Sequence, residues 1–181
     1  GELIYCAEDE YIPYVKEGQE WVMIGRAGYQ QYRIGGVANI DGIDYNEIYH
    51  TQSYTTVSEP ELFDYVREID RKVYIGLEGK DRLVYDFGAQ AGDTIRYDHL
   101  DESLTYYTVV NSVENKYIAG KNRTILDVTH HISYGTTLPS QWIEGIGAHE
   151  DIFKNEHSYR LGASSTPDQF YYFYNSAEDI R

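Results

Sequence analysis

The sequence has almost no cysteine and few basic residues, and these two shortages exclude several classes of protein. Its single cysteine, Cys6, has no partner within the chain, so no internal disulfide can hold the fold. Lysine and arginine together number 15, against 30 aspartate and glutamate residues, and the formal net charge is −15. Because affinity for nucleic acid comes mainly from basic side chains that neutralise phosphates, neither nucleic acid nor an anionic membrane is expected as a partner.

Long apolar runs and strong helix formers are scarce as well. No apolar stretch approaches the roughly 20 residues that a membrane-spanning helix needs, so no transmembrane segment is predicted. Alanine and leucine are sparse, whereas tyrosine occurs 20 times beside five phenylalanines and two tryptophans. Since aromatic side chains favour strands and alanine and leucine favour helices, the composition predicts an all-β domain with little helix.

The length of 181 residues predicts a single domain, because no shift in composition and no internal repeat divides the chain. Residues 1–19 are expected to be an acidic lead-in arm, in which Tyr11 to Tyr14 pack irregularly alongside the domain. Residues 20–175 form the β domain in this interpretation, and residues 176–181 a short tail. The opening residues are too short and too acidic for a signal peptide, so any export signal is expected to precede residue 1.

Turn signals and alternating side chains predict about ten strands. Asp41-Gly42 separates two alternating segments and supplies the positive φ angles of a two-residue hairpin turn. In the second arm of this hairpin, one face is predicted to be directed at the core and consists of Ile43, Tyr45, Glu47 and Tyr49. About ten antiparallel strands suit a sandwich or a partly open barrel better than one sheet.

Three further segments carry specific predictions. Residues 59–69 have helical spacing behind Ser58, yet we favour a hairpin in which Asp70-Arg71 joins two β-rich segments. Residues 83–87 and 94–97 are predicted to pair with each other. Residues 123–134 alternate strictly and predict one long strand with an apolar face, on which His130 and His131 point to opposite sides.

Several charged residues raise the question of metal binding or catalysis, and none forms a complete constellation. His149, Glu150 and Asp151 are candidate loop ligands, and Asp98, Asp101 and Glu102 are candidate calcium ligands without the EF-hand spacing. No Gly-x-Ser-x-Gly elbow is present, and Cys6 has no histidine near it in sequence. We therefore predict no catalytic residue, no metal site and no cofactor.

Glu144 is the carboxylate that best fits a catalytic role, because Trp142 lies beside it in the sequence and an aromatic side chain can stack on a sugar ring. A glycosidase needs a second carboxylate about 5 to 9.5 Å away, and the sequence does not identify one. The simpler interpretation is that Trp142 packs in the core while Gly145 and Gly147 permit a bend. The tyrosines of residues 106–107 and 171–174 must place some rings on opposite faces of their strands, which suits either a binding surface or ordinary exposure.

Several short segments occur in a consistent order and span about 130 residues: Val15 to Trp21, Ile40 to Tyr45 with Ile48-Tyr49, Val66 to Glu68 with Lys72 to Tyr74, Tyr85 to Ile95, and Trp142 to Gly147. In these segments the chain resembles a group of uncharacterised exported β-rich proteins of Bacteroidetes. The charged segment at residues 149–156 departs from the apolar, glycine-rich continuation of that pattern. The resemblance implies a β fold and a secreted or surface-attached location, and it transfers no catalytic residues.

These observations lead to three functional hypotheses. The first is an exported non-enzymatic β domain that acts as a cell-surface binding or accessory module for a glycan or a surface protein. The alternative is a hydrolase that acts on a polysaccharide through paired carboxylates including Glu144. A further alternative is a purely structural domain.

Overall fold

The computed structural model describes residues 10–25, 28–53, 58–77, 80–97, 106–132, 135–148 and 170–175. Within these ranges the chain is built almost entirely from strands, as its composition predicted. They are β1 (Gln19–Gly25), β2 (Gly28–Ile40), β3 (Ile43–Ser53), β4 (Glu61–Ile69), β5 (Lys72–Leu77), β6 (Lys80–Asp86), β7 (Thr94–Arg96), β8 (Tyr107–Ile118), β9 (Lys121–Ile132), β10 (Thr136–Ile143), β11 (Gly147–Ala148) and β12 (Phe170–Asn175).

The strands form two curled antiparallel sheets that are each half of a barrel, which confirms the predicted all-β class. One sheet has seven strands in the order β12-β1-β2-β3-β4-β5-β6, and the other has five in the order β11-β10-β9-β8-β7. Nearly every strand therefore pairs with its neighbour in sequence. The exception is β12, which pairs with β1 from Gln19 opposite Asn175 to Ile24 opposite Phe170.

Within the described ranges, three hairpin turns have two central residues with positive φ, as type I′ turns require. Asp41 and Gly42 join β2 to β3 with φ values of 52° and 85°, as predicted from the dipeptide. Asp70 and Arg71 join β4 to β5 with 50° and 65°, and Ala119 and Gly120 join β8 to β9 with 49° and 77°. Since β4 covers Glu61–Ile69, the strand prediction for residues 59–69 is confirmed over the helical alternative.

The predicted pairing of residues 83–87 with residues 94–97 is wrong. β6 pairs with β5 in the seven-stranded sheet, whereas β7 pairs with β8 in the five-stranded sheet. The connection between them crosses from one sheet to the other and is held by side chains. Asp86 accepts from Gly88 N at 3.0 Å, and Asp93 accepts from Gln90 N at 2.8 Å.

The arm, residues 10–18, packs into the space between the sheets. Tyr14 is 0% exposed, and its ring centroid lies 5.0 Å from that of Trp21 and 5.3 Å from that of Tyr85. The core around it is rich in aromatic rings, including Phe87 and Trp142. The arm is therefore part of the hydrophobic core and not an appendage of it.

The predicted orientation of β3 is wrong. Ile48 is fully buried in the core cluster, whereas Tyr45 is buried on the opposite face of the sheet and lies outside that cluster. Alternation along β3 then places Glu47 and Tyr49 on the outer face with Tyr45. Among the described residues, no helix has the length and apolarity required to cross a membrane.

Candidate functional site

The glycine turn, residues 144–147 between β10 and β11, is where β1 and β9 meet through hydrogen bonds. The Gln19 side-chain amide donates to Gly145 O at 2.8 Å, and the Trp21 indole N–H donates to Ile146 O at 2.8 Å. From the other sheet, Arg123 Nη1 donates to Glu144 O at 2.8 Å. The backbone carbonyls of this turn thus join the seven-stranded sheet to the five-stranded sheet.

Glycine is required in this turn for both conformation and space. Gly145 and Gly147 have φ values of +71° and +99°, which L side chains rarely adopt. A Cβ atom on Gly145 would lie 2.7 Å from Ile12 Cγ2 and 2.8 Å from Arg123 Nη1. Trp142, immediately before the turn, is 1% exposed and belongs to the core. The simpler interpretation of this segment, a core tryptophan followed by a glycine bend, is therefore confirmed.

The Glu144 carboxylate binds the arm to the five-stranded sheet. It is 5% exposed, and its Oε1 accepts from Ile12 N at 2.6 Å while its Oε2 accepts from Thr124 N at 3.0 Å. Backbone N–H donors satisfy the hydrogen-bonding capacity of a carboxyl group that is removed from water. Glu144 thus connects residues that are far apart in sequence.

Glu68 on β4 is a second carboxylate at the arm, and the sequence did not identify it. Its Oε1 accepts from the Tyr11 hydroxyl, and its Oε2 accepts from Val15 N at 2.9 Å. Burial raises the pKa of Glu68 above its ordinary value and Glu144 adds to the increase, although the hydrogen bonds from Tyr11 and Val15 oppose it. The available signal was alternation along β4, which places Glu68 on the same face as the core residue Val66.

Burial and the hydrogen bond to Glu68 also raise the pKa of the Tyr11 hydroxyl far above its ordinary value. Tyr11 therefore remains a neutral hydrogen-bond donor at any physiological pH. The arm is thus held to β4 through Glu68 and to β9 and the glycine turn through Glu144. This arrangement fixes the position of the Tyr11 ring.

The hydrogen bonds that Glu68 and Glu144 make with the arm form the clamp. A pocket of about 240 Å³ lies beside the clamp and is the candidate functional site. Tyr11 from the arm and Arg71 from the β4–β5 turn contribute to its lining, and Glu144 contributes from the glycine turn. The remaining lining residues come from the β8–β9 hairpin and are Asn115, Asn122, Arg123 and Thr124. Most of these side chains end in planar hydrogen-bonding groups, so the pocket suits a small polar ligand more than an apolar one.

The buried side chains of the pocket already have hydrogen-bond partners within the protein. Arg123 is 3% exposed, and besides its contact with Glu144 O its Nε donates to Ile118 O at 3.1 Å. Both carboxylate oxygens of Glu144 are already acceptors for backbone N–H groups. Arg71, Asn115 and Asn122 are exposed and line the same space. A ligand would therefore meet a rigid buried layer and a more accessible polar rim.

A second concavity of about 290 Å³ lies at the connection between β6 and β7. Its charged lining includes Lys72 and Asp86, which form an ion pair at 3.5 Å. The Asp86 carboxylate also supports the connecting loop through Gly88 N. These polar groups serve the sheet crossing, so we regard the pocket at Glu144 as the better candidate.

The outer side of the seven-stranded sheet carries the tyrosine face, defined as Tyr45, Tyr49, Tyr65 and Tyr74. Tyr45 packs on Gly76 and Tyr49 packs on Gly35, where a Cβ atom would lie within 2.8 Å of the ring. Arg67 lies between Tyr45 and Tyr74 at 5.4 and 5.8 Å from their ring centroids. This arrangement explains how Tyr45 is only 3% exposed without belonging to the core.

The charged groups of this face bind each other. Arg67 donates to Asp81 through Nε at 3.0 Å and through Nη2, and the Tyr45 hydroxyl donates to Asp81 at 2.7 Å. Burial tends to raise the pKa of Asp81, but the hydrogen bonds from Arg67 and Tyr45 outweigh it and lower that pKa below its ordinary value. The tyrosine face therefore stabilises the sheet by internal contacts, and it remains a secondary candidate for binding.

The two histidines of β9 point to opposite faces, as alternation predicted. His130 is buried, its Nδ1 lies 2.8 Å from Thr108 Oγ1, and burial lowers its pKa to about 4. His131 stacks on Tyr107 on the other face, with ring centroids 4.5 Å apart. Tyr106 and Tyr107 likewise separate, because Tyr106 is buried in the core cluster.

Cys6, the candidate loop ligands His149, Glu150 and Asp151, and the candidate calcium ligands Asp98, Asp101 and Glu102 lie outside the described residues. The side chains of Tyr171 to Tyr174 also lie outside the description. In the part of the chain that the structure describes, no three histidine, cysteine, aspartate or glutamate side chains lie close enough together to hold a metal ion.

Comparison with protein-family models, with curated proteins and with solved structures gives no match to this chain.

Proposed function

We propose that the chain is a non-enzymatic glycan-binding domain, and that the pocket beside Glu144 holds one sugar unit of the glycan. The observation that carries this proposal is the lining of the pocket. It combines an aromatic ring, two carboxamides and two guanidinium groups with a carboxylate whose oxygens are already hydrogen-bonded. Such a lining binds through many hydrogen bonds without offering a free acid for catalysis.

The chemistry of a sugar ring fits this set of side chains. Each hydroxyl both donates and accepts, and the amides of Asn115 and Asn122 each offer a carbonyl oxygen and an NH₂ group. The volume of about 240 Å³ is below the roughly 300 to 1,000 Å³ of pockets for drug-sized ligands, so it suits one small ring. The clamp on the arm fixes Tyr11 in advance, and such preorganisation lowers the entropic cost of binding.

The rival function is hydrolysis of a polysaccharide by the pair Glu68 and Glu144. The specific observation in its favour is that the charge of Glu144 helps to raise the pKa of Glu68, as in enzymes that use one carboxyl group as an acid. Against it, Glu144 accepts two backbone N–H bonds, and Glu68 accepts a backbone N–H and the Tyr11 hydroxyl. These bonds are structural, so we prefer binding to catalysis.

The proposed location is the cell surface, either secreted or surface-attached. It is supported by the resemblance to exported β-rich proteins of Bacteroidetes and stays a prediction. Fractionation of cells that express the complete gene product, with immunodetection in envelope, medium and cytoplasm, tests it. Detection in the cytoplasm alone would contradict it.

The experiment for the function is a screen of the purified protein on a glycan array, with release of reducing ends measured in parallel. We expect binding to at least one glycan without turnover. Asn122→Ala, in the pocket rim, is expected to abolish that binding. Tyr74→Ala, on the tyrosine face, is the matched control and is expected to retain it.

Each result separates the hypotheses. Loss of binding in Tyr74→Ala but not in Asn122→Ala would place the binding site on the tyrosine face and refute its assignment to the pocket. Hydrolysis that disappears in both Glu68→Gln and Glu144→Gln, while those proteins remain folded, would establish the rival. Absence of both binding and turnover across the array would refute both functions and leave a structural role.

A further inference from the structure

Arg71 occupies a turn position that normally belongs to glycine or asparagine. Of the three type I′ turns among the described residues, two have glycine, Gly42 or Gly120, at the second central position, whereas the β4–β5 turn has Arg71 at a φ of 65°. A side chain of this kind is uncommon in the left-handed region, because its Cβ approaches the backbone too closely. Residues held in such a conformation often serve a function that offsets the cost in stability.

The backbone and the side chain of Arg71 each make one contact that fixes this residue. Its carbonyl oxygen accepts from Phe87 N at 2.9 Å, which ties the turn to the segment after β6. Its guanidinium carbon lies 5.0 Å from the centroid of the Tyr11 ring. Since Tyr11 is itself fixed by Glu68, the guanidinium has a defined place at the rim of the pocket.

Arg71 has no carboxylate partner among the described residues, although the chain has twice as many acidic as basic residues. Other arginines do have partners, as Arg33 pairs with Glu20 and Arg67 pairs with Asp81. Glu68 and Glu144 are engaged by the arm, by Thr124 and by the Tyr11 hydroxyl. Asp86, which lies close to the Arg71 side chain, pairs with Lys72 and accepts from Gly88 N. The guanidinium therefore remains available to an anion that enters the pocket.

A guanidinium is the side-chain group best suited to a carboxylate, because its planar fork of N–H donors matches two carboxylate oxygens. When it lies over an aromatic ring, the ring covers one face and leaves the in-plane donors accessible. Asn115 and Asn122 line the same pocket and supply groups for neighbouring hydroxyls. The donor set thus matches a ring that bears one carboxylate and several hydroxyls.

We infer that the pocket selects an acidic sugar, a hexuronate unit whose carboxylate binds Arg71 and whose hydroxyls bind the Asn115 and Asn122 amides. This inference rests on the proposed function, because it names the class of glycan that the same pocket accepts. It also explains why an arginine remains at a turn position that glycine would occupy more easily.

The test uses matched pairs of oligosaccharides that differ only at carbon 6. Calorimetric titrations compare digalacturonate with the corresponding digalactoside, and glucuronate and mannuronate oligomers with their neutral counterparts. The wild-type protein is expected to bind the uronate of at least one pair about tenfold more tightly, consistent with one accessible charge-assisted contact. Because the contact is at the rim, added salt is expected to reduce this preference.

Arg71→Gly is the decisive variant, since glycine adopts the observed φ without strain and the fold is expected to be at least as stable. It is expected to abolish the preference for uronate, because the affinity for the uronate should fall about tenfold more than the affinity for the neutral counterpart. Arg33→Ala, which removes an equal charge from β2, is the control and is expected to retain the preference.

Equal affinity for the two members of every pair, or a preference that survives in Arg71→Gly, would overturn the inference while the proposed function stands. Competition by sodium acetate as strong as that by the uronate would also overturn it, because the pocket would then be an anion site without sugar selectivity. No binding by any member of the panel would instead refute the proposed function itself.

Discussion

Gly145→Ala is expected to separate the cost of a close packing contact from the cost of backbone strain. The new Cβ would lie 2.7 Å from Ile12 Cγ2, 2.8 Å from Arg123 Nη1 and 3.1 Å from Ile12 O. The third of these atoms belongs to the backbone of the arm and cannot move by a side-chain rotation. The substitution therefore forces the arm away from the glycine turn and stretches the contact between Ile12 N and Glu144.

Gly120→Ala is the matched control. Its φ of +77° is close to the +71° of Gly145, but a Cβ there meets no atom within 4 Å. We expect Gly120→Ala to lower the free energy of unfolding by about 1–2 kcal/mol through left-handed strain alone. Gly145→Ala carries the same strain plus about 1–3 kcal/mol from overpacking, so its total loss is about 2–5 kcal/mol.

Urea unfolding followed by tryptophan fluorescence measures both losses, because Trp21 and Trp142 are 2% and 1% exposed and report on the core. The quantity that tests the reasoning is the difference between the two variants. Equal losses would mean that the arm does not pack against the glycine turn as described, and that this contact does not fix the side of the pocket that Tyr11 lines.

Three further predictions concern the buried groups. The folded-state pKa of Glu68 is raised above its ordinary value of 4.5, so the folded state binds the proton more tightly than the unfolded state does. The free energy of unfolding should therefore fall as the pH rises from 4.5 through the folded-state pKa. Glu68→Gln should remove this fall, and urea midpoints whose pH dependence is the same in the variant and the wild type would contradict the prediction. His130 should change the stability in the opposite direction, because its pKa of about 4 lies below the ordinary 6.5. Acidification from pH 6.5 to 4 should lower the free energy of unfolding by about 3 kcal/mol. An NMR titration midpoint near pH 6.5 would refute the burial of His130. Tyr14→Ala should cost about 3–5 kcal/mol as a large core deletion, whereas Tyr117→Ala, at a site 74% exposed, should cost almost nothing; similar thermal shifts in the two variants would show that the arm is not part of the core.

The features that the sequence predicted correctly depend on local chemistry. Asp41-Gly42 defines its hairpin because only a few residue types adopt two successive positive φ angles. The strict alternation along β9 likewise predicted the opposite faces of His130 and His131. The orientation of β3 was not predictable in this way, because both of its faces carry large apolar side chains, Tyr45 on one and Ile48 on the other. Tyr45 is buried on the outer face by Arg67 and Gly76, which lie on other strands.

The site was harder to predict than the fold, because its parts meet only through long-range contacts. Glu144 was recognised as a candidate from the neighbouring tryptophan, but its role in binding Ile12 N depends on an arm 132 positions away in sequence. Glu68 gave only a weak signal, a charged residue in an inward-facing position of a strand. The connection from β6 to β7 was mistaken for a hairpin because glycine and aspartate are typical of tight turns, whereas Gly92 and Asp93 bond to Val110 of β8 in the other sheet.

The pairing of β1 with β12 has a consequence for how the chain reaches its native state. β1 can pair with β12 only after residues 170–175 have been synthesised. In the same way, Ile12 N of the arm can bond to the Glu144 carboxylate only after residue 144 has been synthesised. Contacts of such long range are slow to form and costly in chain entropy. A ribosome-bound nascent chain would therefore leave one edge of β1 unpaired until residues 170–175 have emerged from the ribosome.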